Sequence, residues 1–157
     1  MTEAAFQTTV RIDAETPADV ASVEALVMAA FGPGRYAKTA ERIREHAGVA
    51  AGFVAREDGR VIGAVRLWSI TVGDRPALFL GPITVSADSR KGGLGADLVQ
   101  ACLDHAGETG ILLVGDAPYF GRFGFRPAPE ARLQGPVDQR RVLWLGEGDA
   151  VGPVRPA

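Results

Sequence analysis

Ser89-Arg90-Lys91-Gly92-Gly93-Leu94-Gly95-Ala96 is the stretch on which the reading of this chain turns. It follows Ala77 to Val85, a segment apolar almost throughout, as a central strand covered on both faces would be. A helical stripe follows it, marked by Leu94, Leu98, Cys102 or Ala101, and His105 or Ala106, and stopped by Gly107 and Gly110. A glycine-rich turn between a buried strand and an amphipathic helix suits a phosphate for two reasons. The first turn of a helix leaves about four N–H groups unpaired and carries partial positive charge. Glycine at 92, 93 and 95 removes the Cβ atoms that would hold a pyrophosphate away from the backbone. Arg90 and Lys91 add charge at the same end.

Taken alone, the same glycines would equally suit tight packing of a helix on a sheet. Other phosphate motifs fit less well. A P-loop needs Gly-Lys followed by Ser or Thr at the helix start. A dinucleotide fingerprint needs Gly-x-Gly-x-x-Gly after an early strand.

Working outward, Thr8 to Asp13 reads as a first strand, and Thr16-Pro17 as a helix start. Val20, Val23, Leu26, Val27, Ala30 and Phe31 mark one apolar face of that helix, and Gly32-Pro33-Gly34 stops it. A second helix is expected from about Tyr36 to His46. From Gly52 the period becomes two. Asp58-Gly59 is the strongest hairpin signal in the chain, and Gly73-Asp74 makes another turn. Ile111 to Val114 and Val142 to Leu145 read as short strands. A Gly/Pro-rich tail after about residue 147 is expected to fray.

The chain has 157 residues, one domain's worth, with 46% hydrophobic and 23% charged residues. A net charge of -2 argues against nucleic acid as a main partner. The single cysteine, Cys102, has no partner for a disulfide and no metal-ligand companions, which fits a reducing compartment. No signal-peptide pattern or membrane-spanning apolar run is visible, so the cytoplasm is the expected location.

Arg90-x-x-Gly93-x-Gly95 resembles the acetyl-CoA pyrophosphate signature of the GCN5-related N-acetyltransferases, or GNAT family. Ala29-Ala30-Phe31-Gly32, the Asp58-Gly59 hairpin, Leu80-Gly81-Pro82-Ile83-Thr84-Val85 and the run from Val114 to Phe125 are similar to its YhbS-like branch. The likeness extends from about Val10 to Leu145. It implies an α/β fold with a mixed central sheet, an antiparallel meander plus a parallel splayed pair, flanked by helices in a single domain.

The resemblance also implies site residues. The backbone of Ile83, Thr84 and Val85 would bind the pantetheine arm of coenzyme A as an added strand does. Arg90, Lys91, Gly92, Gly93, Leu94, Gly95 and Ala96 would hold its pyrophosphate. Gly81-Pro82 falls where the family bends this strand, and proline, which cannot donate to a ladder, agrees with an irregularity there. The implied reaction moves an acetyl group directly to an amine, so no nucleophile is needed and Cys102 reads as core. The family's usual acid, a tyrosine four residues before the glycine of the closing Gly-Phe pair, falls here on Phe120, which has no hydroxyl and is expected only to line the cofactor. Tyr119, one residue earlier, is the candidate acid, although that shift turns a helical side chain by roughly 100°. Asp116 is the nearest candidate base, and equally reads as a cap before Pro118. His46 and His105 read as surface residues, and Trp68 and Trp144 as packing or pocket lining.

The expected function is that of an acetyl-CoA-dependent N-acetyltransferase acting on an amine of a small molecule or protein. The alternative is a non-catalytic acyl-CoA-binding module of the same fold. Exposed strands near the C-terminus would leave room for a homodimer.

Overall fold

The computed structural model describes residues 10–31, 43, 47–87 and 92–157. The expected second helix lies outside them, except for Ile43, which is buried. β1 (Val10–Ala14) leads through a 3-10 turn (Pro17–Asp19) into α1 (Val20–Phe31). Three long strands follow: β2 (Val49–Glu57), β3 (Arg60–Val72) and β4 (Arg75–Val85). Then come α2 (Leu94–Ala106), β5 (Ile111–Val114), α3 (Ala117–Gly121), β6 (Arg126–Pro127) and β7 (Ala131–Arg132). A 3-10 turn (Gln139–Arg141), β8 (Val142–Leu145) and β9 (Gly152–Pro156) complete the chain. Among the described residues no helix is long and apolar enough to cross a membrane.

The sheet runs β1-β2-β3-β4-β5-β8-β6, and β9 pairs with both β3 and β7. β1 to β4 form the expected antiparallel meander, and β4 and β5 the parallel pair, joined through α2. Asp58 and Gly59 both have positive φ, as a two-residue hairpin turn closing the Glu57–Arg60 pair requires.

α2 covers one face of the sheet, burying Leu94, Leu98, Val99 and Cys102 against Val65, Leu67 and Leu80. α1 covers the other, where Val23 and Val27 meet Val54 and Ala64. The apolar face expected of α1 is narrower than its sequence pattern. Only Val23 and Val27 are buried, whereas Val20, Met28 and Phe31 are each about two-fifths exposed.

The expectation of a frayed tail is corrected. Val154, Arg155 and Pro156 pair with Val72, Thr71 and Ile70, and Gly152 and Pro153 pair with β7. β3 extends past the part that β2 covers, so its last three residues offer an unpaired edge that the tail fills. Val142, Leu143, Trp144 and Val154 are buried, whereas Arg132 of β7 and Arg155 and Pro156 of β9 stay exposed.

Two arginines tie the start of the chain to the sheet. Arg56 donates from Nη1 and Nη2 to the Asp19 carboxylate at 2.8 and 2.7 Å, and from Nε to Asp13 at 2.8 Å. Arg66 holds Glu15 through two bonds of 3.0 and 2.7 Å and reaches Glu24 at 3.1 Å. Asp19 is buried and also accepts from the N–H and hydroxyl of Thr16. Arg56 above all, then the Thr16 N–H, hold the Asp19 carboxyl well below the ordinary aspartate range.

A depressed carboxylate pKa contributes stability that is present above the unfolded-state value, about 4. That contribution is lost as the pH falls through the folded-state value. The melting temperature is therefore expected to drop steadily below about pH 4. Asp19→Asn should be less stable at neutral pH and should show a shallower acid decline when melting is followed by circular dichroism.

Candidate active site

β4 and β5 part early. Their pairing is confined to Leu78–Ile111 and Phe79–Leu112, supported by the Leu78 N–H donating to the Gly110 carbonyl at 2.9 Å. Beyond that point the β5 residues Leu113 and Val114 pair only with β8, and β4 continues to Val85 with only β3 beside it. The result is a wedge-shaped gap whose two walls are strand edges.

A bulge sits where the gap opens. Val65 pairs with Ile83 but Leu67 with Leu80, so Gly81 and Pro82 together face the single residue Arg66. Gly81 has φ 144°, a value that favours glycine, and the Gly81–Pro82 peptide is cis. The irregularity expected from Gly81-Pro82 is therefore present. It also changes the phase of the strand. Before it, Leu78 directs its N–H toward β5; after it, the Ser86 N–H donates to Ile62 of β3 at 2.7 Å. Because antiparallel residues alternate in direction, Thr84 also faces β3, while Ile83 and Val85 present their backbone groups to the gap.

The first turn of α2 stands beside this edge. Gly93 is the N-cap, in the left-handed conformation at φ 81°. A Cβ built on Gly92 or Gly93 would meet nothing within 4 Å, so the space in front of both is open. Leu94 is buried and anchors the turn in the core, leaving Gly95 and Ala96 partly exposed. Arg90 and Lys91 lie outside the described residues.

Tyr119 closes the other side. A Cβ on Gly95 would come within 3.3 Å of the Tyr119 hydroxyl, so the phenol lies across the first turn of α2. Asp116 is the N-cap of α3 and accepts from the Tyr119 N–H at 2.9 Å, the capping arrangement that its place before Pro118 suggested. Arg122 sits with its Cζ 4.4 Å from the Tyr119 ring centroid and donates from Nε to the Tyr119 carbonyl at 3.3 Å. Phe120 sits beside Tyr119, the two rings meeting edge-on at 4.9 Å. Its ring is buried, in edge contact with Phe125 at 5.8 Å and packed so closely on residue 115 that only glycine fits there. Tyr119 thus reaches the first turn of α2 with its hydroxyl, while Phe120 is buried beside it.

The remaining candidates are elsewhere. Cys102 is fully buried, and desolvation pushes its thiol up to about 12, so it is no nucleophile. His105 is exposed near the far end of α2, in edge contact with Phe53 at 5.9 Å. His46 lies outside the described residues. Trp144 packs over Gly110 and Gly146 and donates to the Gly148 carbonyl at 3.2 Å. Trp68 reaches the bulge itself, its indole Nε1 donating to the Gly81 carbonyl at 2.5 Å. A cleft of about 500 Å³ bordered by Leu103, Ala106, Ile111 and Leu145 opens at the opposite end of α2 and has no part in this arrangement. Arg122 and the Trp68 N–H were missed as site residues. Arg122 has no motif that marks it, and the partner of Trp68 depends on a bulge that sequence spacing does not locate to the residue.

The chain is similar to known proteins over most of its length. Residues 20–125 match the Acetyltransferase (GNAT) family. The chain is 32% identical over 145 residues to a protein of Escherichia coli K12 named uncharacterized N-acetyltransferase YhbS, covering 88% of this chain and 83% of that one. The crystal structure of E. coli YhbS in complex with CoA superposes with a TM-score of 0.79 at 25% identity, over 96% of this chain and 91% of that one. A GNAT family acetyltransferase from Brucella melitensis, solved in complex with acetyl-CoA, gives 0.70 at 27% identity over 95% and 96% of the two chains. The splayed β4–β5 pair, the open glycine turn at the head of α2 and a family match over more than half its length lead to one assignment: this chain belongs to the GNAT family of acetyltransferases.

Proposed function

We propose that the protein is an acetyl-CoA-dependent N-acetyltransferase that moves an acetyl group directly to an amine of a small molecule or a protein. The observation that carries this reading is the unpaired edge of β4, which leads from the bulge to the open first turn of α2. A long arm with amide groups fits an open strand edge, and phosphates fit a helix start whose glycines leave space in front of them. Bound acetyl-CoA supplies the acetyl group as a thioester.

The chain's own residues then have separate tasks. Ile83 and Val85 offer backbone donors and acceptors to the arm. Gly92, Gly93, Leu94, Gly95 and Ala96 direct backbone N–H groups and the positive end of α2 at the phosphates, and the sequence adds Arg90 and Lys91 just before them. Thr84, bonded to β3, supports the edge from behind. Tyr119 is the group that gives a proton to the departing thiolate as the carbon–sulfur bond breaks, the proton lost by the amine passing to solvent, and its hydroxyl lies against Gly95 in the first turn of α2. Arg122 covers its ring and Asp116 caps the helix that carries it, so Asp116 serves by fixing the start of α3. A buried thiol and a reducing compartment agree, and we place the activity in the cytoplasm.

The test is calorimetry with acetyl-CoA followed by a thiol-release assay across a panel of amines. Binding with turnover on at least one amine is the expected result. Binding without turnover on any amine would leave the non-catalytic acyl-CoA module, and absence of binding would end both readings. Tyr119→Phe retains the ring that Arg122 covers but removes the hydroxyl. Loss of a general acid typically costs about a hundredfold or more in kcat, and acetyl-CoA affinity should change by no more than about threefold. An unchanged kcat would mean that water supplies the proton.

A further inference from the structure

We infer that Trp68 is a positioning residue whose indole N–H holds the Gly81–Pro82 bulge and so sets which backbone groups of β4 face the cofactor. The inference rests on the proposed place of the cofactor arm along Ile83 and Val85.

A strand has one parity. Without an extra residue, the even-numbered residues of β4 that turn toward β5 at Leu78 would continue to do so, and Thr84 would face the gap in place of its neighbours. Only the extra residue at 81–82 exchanges them. An extra residue leaves local backbone groups without ladder partners, and Pro82 has no N–H to offer. The Gly81 carbonyl stands at the extra residue, in a buried place where an unpaired acceptor is unfavourable.

Trp68 satisfies it at 2.5 Å from a ring that is itself buried. The ring belongs to the core of the face opposite α2, where it packs with Ile70, Ala77 and Phe79. Trp68 is paired directly with Phe79, two positions before Gly81 on β4, so the indole spans from one side of the opening point to the other. The carbonyl is thereby held by a side chain that reaches across from β3. Removing the N–H leaves that acceptor unpaired, which loosens the bulge and blurs the difference in direction between Thr84 and its neighbours Ile83 and Val85.

The test pairs two readouts on Trp68→Phe and on the protein carrying 3-benzothienylalanine at position 68, which replaces only the N–H by sulfur. The first readout is single-residue amide exchange without ligand. The wild type should show Thr84 protected and Ile83 and Val85 fast, and in both variants that contrast should collapse. The second is acetyl-CoA affinity by calorimetry, expected to fall about tenfold, as loss of a buried hydrogen bond implies. Retained contrast with affinity within twofold of wild type would overturn the role of Trp68. Failure of the benzothienyl form to fold would overturn it too, because the N–H would then serve the whole fold and not the bulge. Absence of binding by the wild type would instead count against the proposed cofactor, and the exchange contrast still decides the role of Trp68.

Discussion

Gly93→Val is expected to abolish acetyl-CoA binding while the protein stays folded, and Gly95→Val to do the same by a different route. At Gly93 the left-handed φ of 81° is strained for a β-branched residue, and the added methyls would project into the open space in front of the turn. That space is where the phosphates are proposed to lie, so the ligand and the side chain compete directly. At Gly95 the obstacle is inside the protein, since the new Cβ alone would come 3.3 Å from the Tyr119 hydroxyl. Gly95→Val should therefore displace Tyr119 and affect turnover as well as affinity. Neither glycine is buried, which is why the fold should survive. The check is calorimetry together with thermal melting. Normal acetyl-CoA binding by either variant would remove this turn from the site.

The second large effect is on stability. Gly110 ends the loop before β5, and a Cβ there would lie 2.0 Å from Cη2 of Trp144, a contact no small adjustment relieves. The same glycine accepts the Leu78 N–H that begins the short β4–β5 pairing. Gly110→Ala must therefore move either a fully buried indole or the start of β5. Overpacking of a core costs on the order of 3 kcal/mol. That corresponds to a fall of about 6–12 °C in melting temperature for a domain of this size. Trp144→Phe in the same chain should recover part of the loss by shortening the obstructing ring. A Gly110→Ala protein that melts with the wild type would show that the indole does not pack there.

Much of the architecture was legible because local chemistry and global fold agreed. Asp58-Gly59 can hardly be anything but a tight hairpin, and the uninterrupted apolar run from Ala77 to Val85 announced a central strand. The start of α2 is legible too, since the glycine-rich turn falls where Gly93 caps the helix. What escaped was whatever depended on distant pairing. The tail looked like loop because Gly152 and Pro153 resemble turn residues, yet Val154 to Pro156 find the free edge of β3. In the sequence Thr84 is indistinguishable from Ile83 and Val85, and only the position of the bulge separates it from them. Asp116 was open between base and cap, and its bond to the Tyr119 N–H favours the cap. Tyr119 and Phe120 could be told apart only by where α3 lies relative to α2.

The most direct test of the account is amide exchange on the wild-type protein before and after acetyl-CoA is added. Ile83 and Val85 should gain strong protection, together with Gly93 to Ala96, while Thr84, already bonded to β3, should change little. Protection gained at Thr84 in place of its neighbours, or no change anywhere along Ile83 to Val85, would contradict a cofactor arm lying on the open edge of β4.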